Sequence, residues 1–106
     1  MAEETLARLE ETIAARRDAS PQDSYVAQLH AQGVPIIAQK LGEEAVEAVI
    51  AAVAGSDAEL VEESADMLFH LIVLLSSRGL ALEQVLAELE RREGLSGLTE
   101  KAMRNT

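Results

Sequence analysis

Pro35-Ile36-Ile37-Ala38-Gln39-Lys40-Leu41-Gly42-Glu43-Glu44-Ala45-Val46-Glu47, followed past Gly55-Ser56-Asp57-Ala58-Glu59 by Glu63-Ser64-Ala65-Asp66-Met67-Leu68-Phe69-His70, is the stretch that decides the fold. Pro35 suits the first turn of a helix, which runs to about Ala54 before Gly55 stops it. Ser56-Asp57-Ala58-Glu59 is a capping box, so a second long helix starts there. It continues to about Arg78 and stops at Gly79. A loop of two or three residues forces two such helices to pack antiparallel as neighbours.

Shorter helices flank this hairpin. Leu6, Leu9 and Ile13 recur at helical spacing and predict a helix over 3–17, with Arg16 and Arg17 in its last turn, where cations suit the helix dipole. Ser20-Pro21 ends it. Asp23 or Ser24 can cap a short second helix through Val26 and Leu29, closed by Gly33. Leu82, Val85, Leu86 and Leu89 mark a fifth helix, to roughly Glu93 with Gly94 after it, and residues 95–106 show no strong periodicity. No stretch alternates with period two, and there is no repeat or low-complexity linker. The expectation is an all-α single domain over 1–106: a helical bundle of four to five helices with a central antiparallel helix hairpin. The fourth helix is apolar on more faces than one partner covers, so dimerisation is expected to complete it.

Composition narrows the function. A chain of 106 residues suits one domain, and 48% hydrophobic with 26% charged residues suits a folded one. A net charge of −10, with 19 acids against 9 bases, argues against nucleic-acid or anionic-membrane partners. Tyr25 and Phe69 are too few aromatics for base-stacking RNA recognition. The absence of cysteine excludes disulfides and thiolate metal sites. The N-terminus lacks a signal-peptide pattern, and the apolar run Met67 to Leu75 is far short of the roughly 20 residues a bilayer span needs. A cytoplasmic location is therefore the expectation.

Solubility does not account for all the acids. Glu44 and Glu47 are three residues apart on the third helix, and Glu63 and Asp66 three apart on the fourth, so each pair shares one helix face. The midpoint of the first pair lies 9.5 residues before Gly55 and that of the second 9.5 residues after it. At the helical rise both stand about 14 Å from the turn, hence level in the hairpin. If they also face each other, four carboxylates converge and either take up protons or share a cation. Oxygen-only ligands favour Mg²⁺ or Mn²⁺, and Mg²⁺ commonly completes its shell with water and substrate phosphates. The chemistry suggested is phosphoryl or pyrophosphoryl transfer from a nucleotide. The alternative is a solvated acidic face. Lys40 can meet a phosphate or pair with Glu44. Glu43 can act as an outer base or be simply exposed. His70 can be a satisfied core residue.

The segments Ser24-Tyr25-Val26-Ala27-Gln28-Leu29, Lys40-Leu41-Gly42-Glu43-Glu44-Ala45-Val46-Glu47, Glu63-Ser64-Ala65-Asp66-Met67-Leu68-Phe69-His70 and Arg92-Glu93-Gly94-Leu95-Ser96-Gly97-Leu98-Thr99-Glu100-Lys101 resemble the phosphoribosyl-ATP pyrophosphatase family of histidine biosynthesis, within the all-α NTP pyrophosphohydrolase superfamily. The resemblance covers about residues 3–104. It implies Mg²⁺-dependent hydrolysis of phosphoribosyl-ATP to phosphoribosyl-AMP and pyrophosphate by a cytoplasmic helical homodimer. Glu44, Glu47, Glu63 and Asp66 match the superfamily's metal-ligand positions, and Lys40, Glu43 and His70 match family motif positions. The chain departs from many relatives at Gln28, Pro35 and Ile36, where they carry basic residues. Arg91, Arg92, Lys101 and Arg104 are alternative phosphate partners, or a solvated terminus. On this view water attacks the α-phosphorus, Glu43 or a metal-bound hydroxide takes its proton, and Lys40 stabilises phosphate charge. Arg92, Lys101 and His70 contribute to substrate binding. The rivals are a house-cleaning NTP pyrophosphatase using the same acids and a non-catalytic acidic helical adaptor.

Overall fold

Every helix that the periodicity predicts is present in the computed structural model, which describes residues 2–93 and 97–104. In order they are α1 (Ala2–Arg16), α2 (Tyr25–Gln32), α3 (Val34–Ala54), α4 (Asp57–Ser77) and α5 (Leu82–Arg91). A further helix, α6 (Gly97–Arg104), exceeds the four to five expected. Its two large apolar side chains, Leu98 and Met103, are five residues apart, so they give no helical apolar pattern to read. The described residues contain no strand, and the fold is all-α.

The caps explain the boundaries. Ser24 rather than Asp23 opens α2: its backbone is extended and its Oγ accepts the Ala27 N–H at 3.2 Å. Gly33 is shared by two helices. Its N–H donates to the Leu29 carbonyl at 3.2 Å, ending α2, while its own carbonyl accepts from Ile37 at 3.1 Å, opening α3. It does this at φ +92°, a conformation in which only glycine is unstrained. Ser56 opens α4 by accepting the Glu59 N–H at 3.1 Å, and donates its hydroxyl to the Glu59 carboxylate at 3.2 Å. α4 stops at Ser77, where Leu80 N–H closes back on the Leu75 carbonyl at 2.9 Å. α5 ends at Arg91, two residues short of the expectation, and Gly94 lies outside the described residues.

α3 and α4 form the hairpin and share the most extensive packing in the molecule. The core lies at the hairpin's open end. There Ile37 of α3 and Ile72 and Val73 of α4 are buried against Ile13, Val26, Leu29 and Leu82, one layer drawn from five helices. Leu6, Leu9, Phe69, Leu74, Leu75 and Val85 pack around it. Long-range hydrogen bonds tie α1 and the residue after it to this end: the Glu10 carboxylate accepts the Leu82 N–H at 2.6 Å, and Arg17 donates to the Ser76 carbonyl at 3.2 Å and to the Ser76 hydroxyl at 3.4 Å. Towards the turn α3 and α4 stand almost alone. Val49 and Val53 are 61% and 83% exposed, and only Ala51 is buried there. The acids therefore sit where the packed end of the hairpin meets its bare end. Among the described residues no single helix is long and apolar enough to cross a membrane.

Candidate functional site

Level acids become facing acids. Glu44 of α3 and Glu63 and Asp66 of α4 each present a carboxylate oxygen within 4.8 Å of the other two, a spacing that can hold a metal ion. Glu44 and Glu63 are half-buried, and one oxygen of each, Oε2, is buried without a hydrogen-bond partner. An orphaned carboxylate oxygen is costly unless a proton or cation completes it. Glu47, one turn along α3 from Glu44, shares a hydrogen bond with Glu63. That bond, with desolvation and the nearby charges of Glu47, Glu44 and Asp66, pushes the Glu63 carboxyl up from 4.5 to about 7. Acids crowded in this way favour the uptake of a proton or a cation. The donor set is all oxygen and anionic, which fits a hard divalent cation such as Mg²⁺ or Mn²⁺.

A cavity of about 230 Å³ opens beside the cluster towards the turn, lined by Glu47, Ile50, Ala51, Ala54, Gly55, Glu59 and Glu63. Gly55, at its edge, has no space for a side chain: a Cβ there would lie 3.0 Å from the Ala51 carbonyl and 3.1 Å from a Glu59 carboxylate oxygen. Sequence reading gave Glu59 only its capping role. The signal for more was its position four residues before Glu63, on the same face of α4.

Lys40 does not pair with Glu44. Its Nζ lies 3.7 Å from a Glu43 carboxylate oxygen, with both side chains more than two-fifths exposed. Glu43 also accepts from the Gln39 amide at 3.4 Å. It lies outside the acidic cluster, on a shallow depression with Gly42, Val46, Glu47 and Ile50. Lys40 and Glu43 thus form a loosely held surface pair next to the acids.

His70 is buried, and both ring nitrogens are engaged within the chain. The Asp66 carbonyl can only accept, so Nδ1–H donates to it at 2.7 Å. In the neutral ring this leaves Nε2 to accept from the Tyr25 hydroxyl at 2.9 Å. His70 is therefore the satisfied core histidine, linked to the site through Asp66 and Tyr25. The Tyr25 contact was not readable from spacing, because 45 residues separate the partners. Arg92 is engaged by Glu88 at 3.2 Å, and Arg91 binds the same carboxylate at 2.6 Å. The two guanidiniums hold Glu88 down at about 2. Lys101 stands exposed on α6. Neither Arg92 nor Lys101 is part of the cluster or lines its cavity.

Residues 6–93 match the family described as phosphoribosyl-ATP pyrophosphohydrolase. The chain belongs to the phosphoribosyl-ATP pyrophosphohydrolase family. Curated relatives in this family agree over almost the whole length. Phosphoribosyl-ATP pyrophosphatase of Erythrobacter litoralis is 68% identical over 100 residues, covering 94% of this chain and 96% of that protein. The protein of the same name from Rhizorhabdus wittichii is 64% identical, covering 94% of each. That from Zymomonas mobilis is 59% identical over 104 residues, covering 98% of this chain and 97% of its own. The family is one of hydrolases, so the expectation of an enzyme is met and the non-catalytic adaptor is not.

Proposed function

We propose that this chain hydrolyses phosphoribosyl-ATP to phosphoribosyl-AMP and pyrophosphate, the second step of histidine biosynthesis, as a Mg²⁺-dependent, cytoplasmic, single-domain homodimer. One observation carries the reading: Glu44 meets Glu63 and Asp66 across the hairpin with buried carboxylate oxygens left unpartnered, in a chain of this family. Glu44, Glu47, Glu63 and Asp66 are proposed as the residues that hold Mg²⁺, with Mn²⁺ as a substitute. When bound, the ion offsets phosphate charge and makes the phosphorus a better electrophile.

The remaining steps fall to the chain's own side chains. Lys40, loosely paired with Glu43 at 3.7 Å, donates instead to the incoming phosphate oxygens and stabilises the charge that grows on them. Glu43, freed of that partner and steadied by Gln39, accepts the proton of the water attacking the α-phosphorus. Pyrophosphate leaves. His70, Arg92 and Lys101 are proposed as substrate-binding residues.

The test is pyrophosphate release with Mg²⁺ and with the metal chelated, on phosphoribosyl-ATP and on a panel of ordinary NTPs. Turnover of phosphoribosyl-ATP alone is expected. Comparable turnover of the panel would replace this reading with a house-cleaning pyrophosphatase.

A further inference from the structure

Tyr25 and Phe69 are the only tyrosine and phenylalanine in the chain, and there is no tryptophan. The fold brings both to one place, against His70. The Tyr25 and Phe69 rings stack with centroids 6.0 Å apart and planes within 17°. His70 stands edge-on to each, at 5.8 Å from Tyr25 and 5.2 Å from Phe69.

Tyr25 is restrained three times over. Its backbone is the first residue of α2, behind the Ser24 cap. Its hydroxyl donates to His70 Nε2 at 2.9 Å. One face of its ring lies over Phe69. Yet Tyr25 remains 46% exposed. A ring fixed in order to fill the core would be covered, and this residue stays nearly half open to solvent. It is also well placed. His70 lies one helical turn beyond Asp66 on α4, about 5–6 Å along the same face. A triphosphate gripped at the acids carries its base about one sugar beyond them. The cavity on the turn side presents three carboxylates and aliphatic groups but no aromatic face.

We propose that the exposed Tyr25 ring is the platform on which the purine ring of the nucleotide stacks. This rests on the pyrophosphohydrolase reading of the acidic site. The ring is fixed before the ligand arrives, so stacking costs little further ordering.

Two variants and one measurement on the unmodified protein test it. Tyr25→Phe keeps the ring and loses the bond to His70, so its KM for phosphoribosyl-ATP is expected within about twofold of the parent. Tyr25→Leu removes the π-face, and KM is expected to rise about 10- to 100-fold with kcat little changed. Tyr25 is the only tyrosine and no tryptophan masks it, so its emission can be followed directly. Mixing the parent enzyme and Mg²⁺ with phosphoribosyl-ATP is expected to quench that emission, which recovers as substrate is exhausted. Inorganic triphosphate, which has no base, should not quench it. Substrate and product carry the same base, so recovery reports ring contact and not absorbance. Should Tyr25→Leu fail to fold, the quenching decides alone. An unchanged KM in folded Tyr25→Leu, an equal loss in Tyr25→Phe, or turnover without quenching each overturns the platform while leaving the pyrophosphohydrolase reading intact. No turnover of phosphoribosyl-ATP by the parent enzyme overturns both.

Discussion

Glu63 carries opposite consequences for stability and for activity. Its carboxyl is pushed up from 4.5 to about 7 in the folded chain by its hydrogen bond with Glu47, by desolvation, and by the negative charges of Glu47, Glu44 and Asp66. Below the lower value both folded and unfolded forms hold the proton and nothing is lost. Between the two values the unfolded form ionises first, so the fold loses stability as pH rises, and above about 7 the whole penalty applies. A divalent cation must displace the same proton, so its affinity should rise across that window. Melting curves from pH 5 to 8 should show the metal-free Tm falling with pH and the shift given by added Mg²⁺ growing. A Mg²⁺ effect independent of pH would remove Glu63 from the metal set. Glu63→Gln should raise the metal-free Tm at pH 8, by relieving repulsion, while lowering Mg²⁺-dependent turnover by more than about 100-fold, since even the partners of metal ligands cost 10- to 100-fold. The meeting of Glu44 with Glu63 and Asp66 was legible because a rigid hairpin converts a count from Gly55 into height, and Glu47 falls outside that group of three. The pairing of Lys40 with Glu43 in place of Glu44 was not legible, because long exposed side chains choose among near-equal neighbours.

Helix ends were legible for a related reason: capping is local chemistry that one residue type performs. Ser24, Gly33 and Ser56 each do what their side chain, or its absence, dictates. Gly33→Ala should cost about 1–2 kcal/mol, the strain of a Cβ at positive φ, read as a lower midpoint in urea with unchanged slope. Ile37→Ala removes a wholly buried side chain where α3 meets the core layer and should cost about 2–5 kcal/mol in the same assay. If Gly33→Ala were neutral, the junction between α2 and α3 would not need its left-handed backbone. α6 escaped the sequence reading because eight residues with one leucine and one methionine off the helical period form no stripe. The meeting of Tyr25 with His70 escaped it as well, since it depends on how α2 lies across α4 and not on any spacing along the chain.

At the scale of the molecule, the bare half of the hairpin carries an open apolar stripe. Val46, Val49, Ile50 and Val53 recur at i, i+3, i+4 and i+7 on α3, and every one is more than half exposed. Val61 of α4 adds to the apolar surface near the turn at 69% exposure. A stripe with the period of a buried helix face, lying open in a chain with a net charge of −10, is the kind of apolar surface a partner covers. Glu47 and Ile50 line both the cavity beside the acids and the shallow depression on this face. A partner seated here would therefore also shield the acidic cluster from water, strengthening its hold on a cation. Sedimentation at micromolar concentration should give a dimer or larger. Val49→Glu with Val53→Glu should shift the chain to monomer and lower Mg²⁺-dependent turnover along with it, while helix content stays unchanged. A parent protein that sediments as a monomer would contradict the dimer. A monomeric double variant with full activity would show instead that the hairpin's own four acids suffice without a second copy.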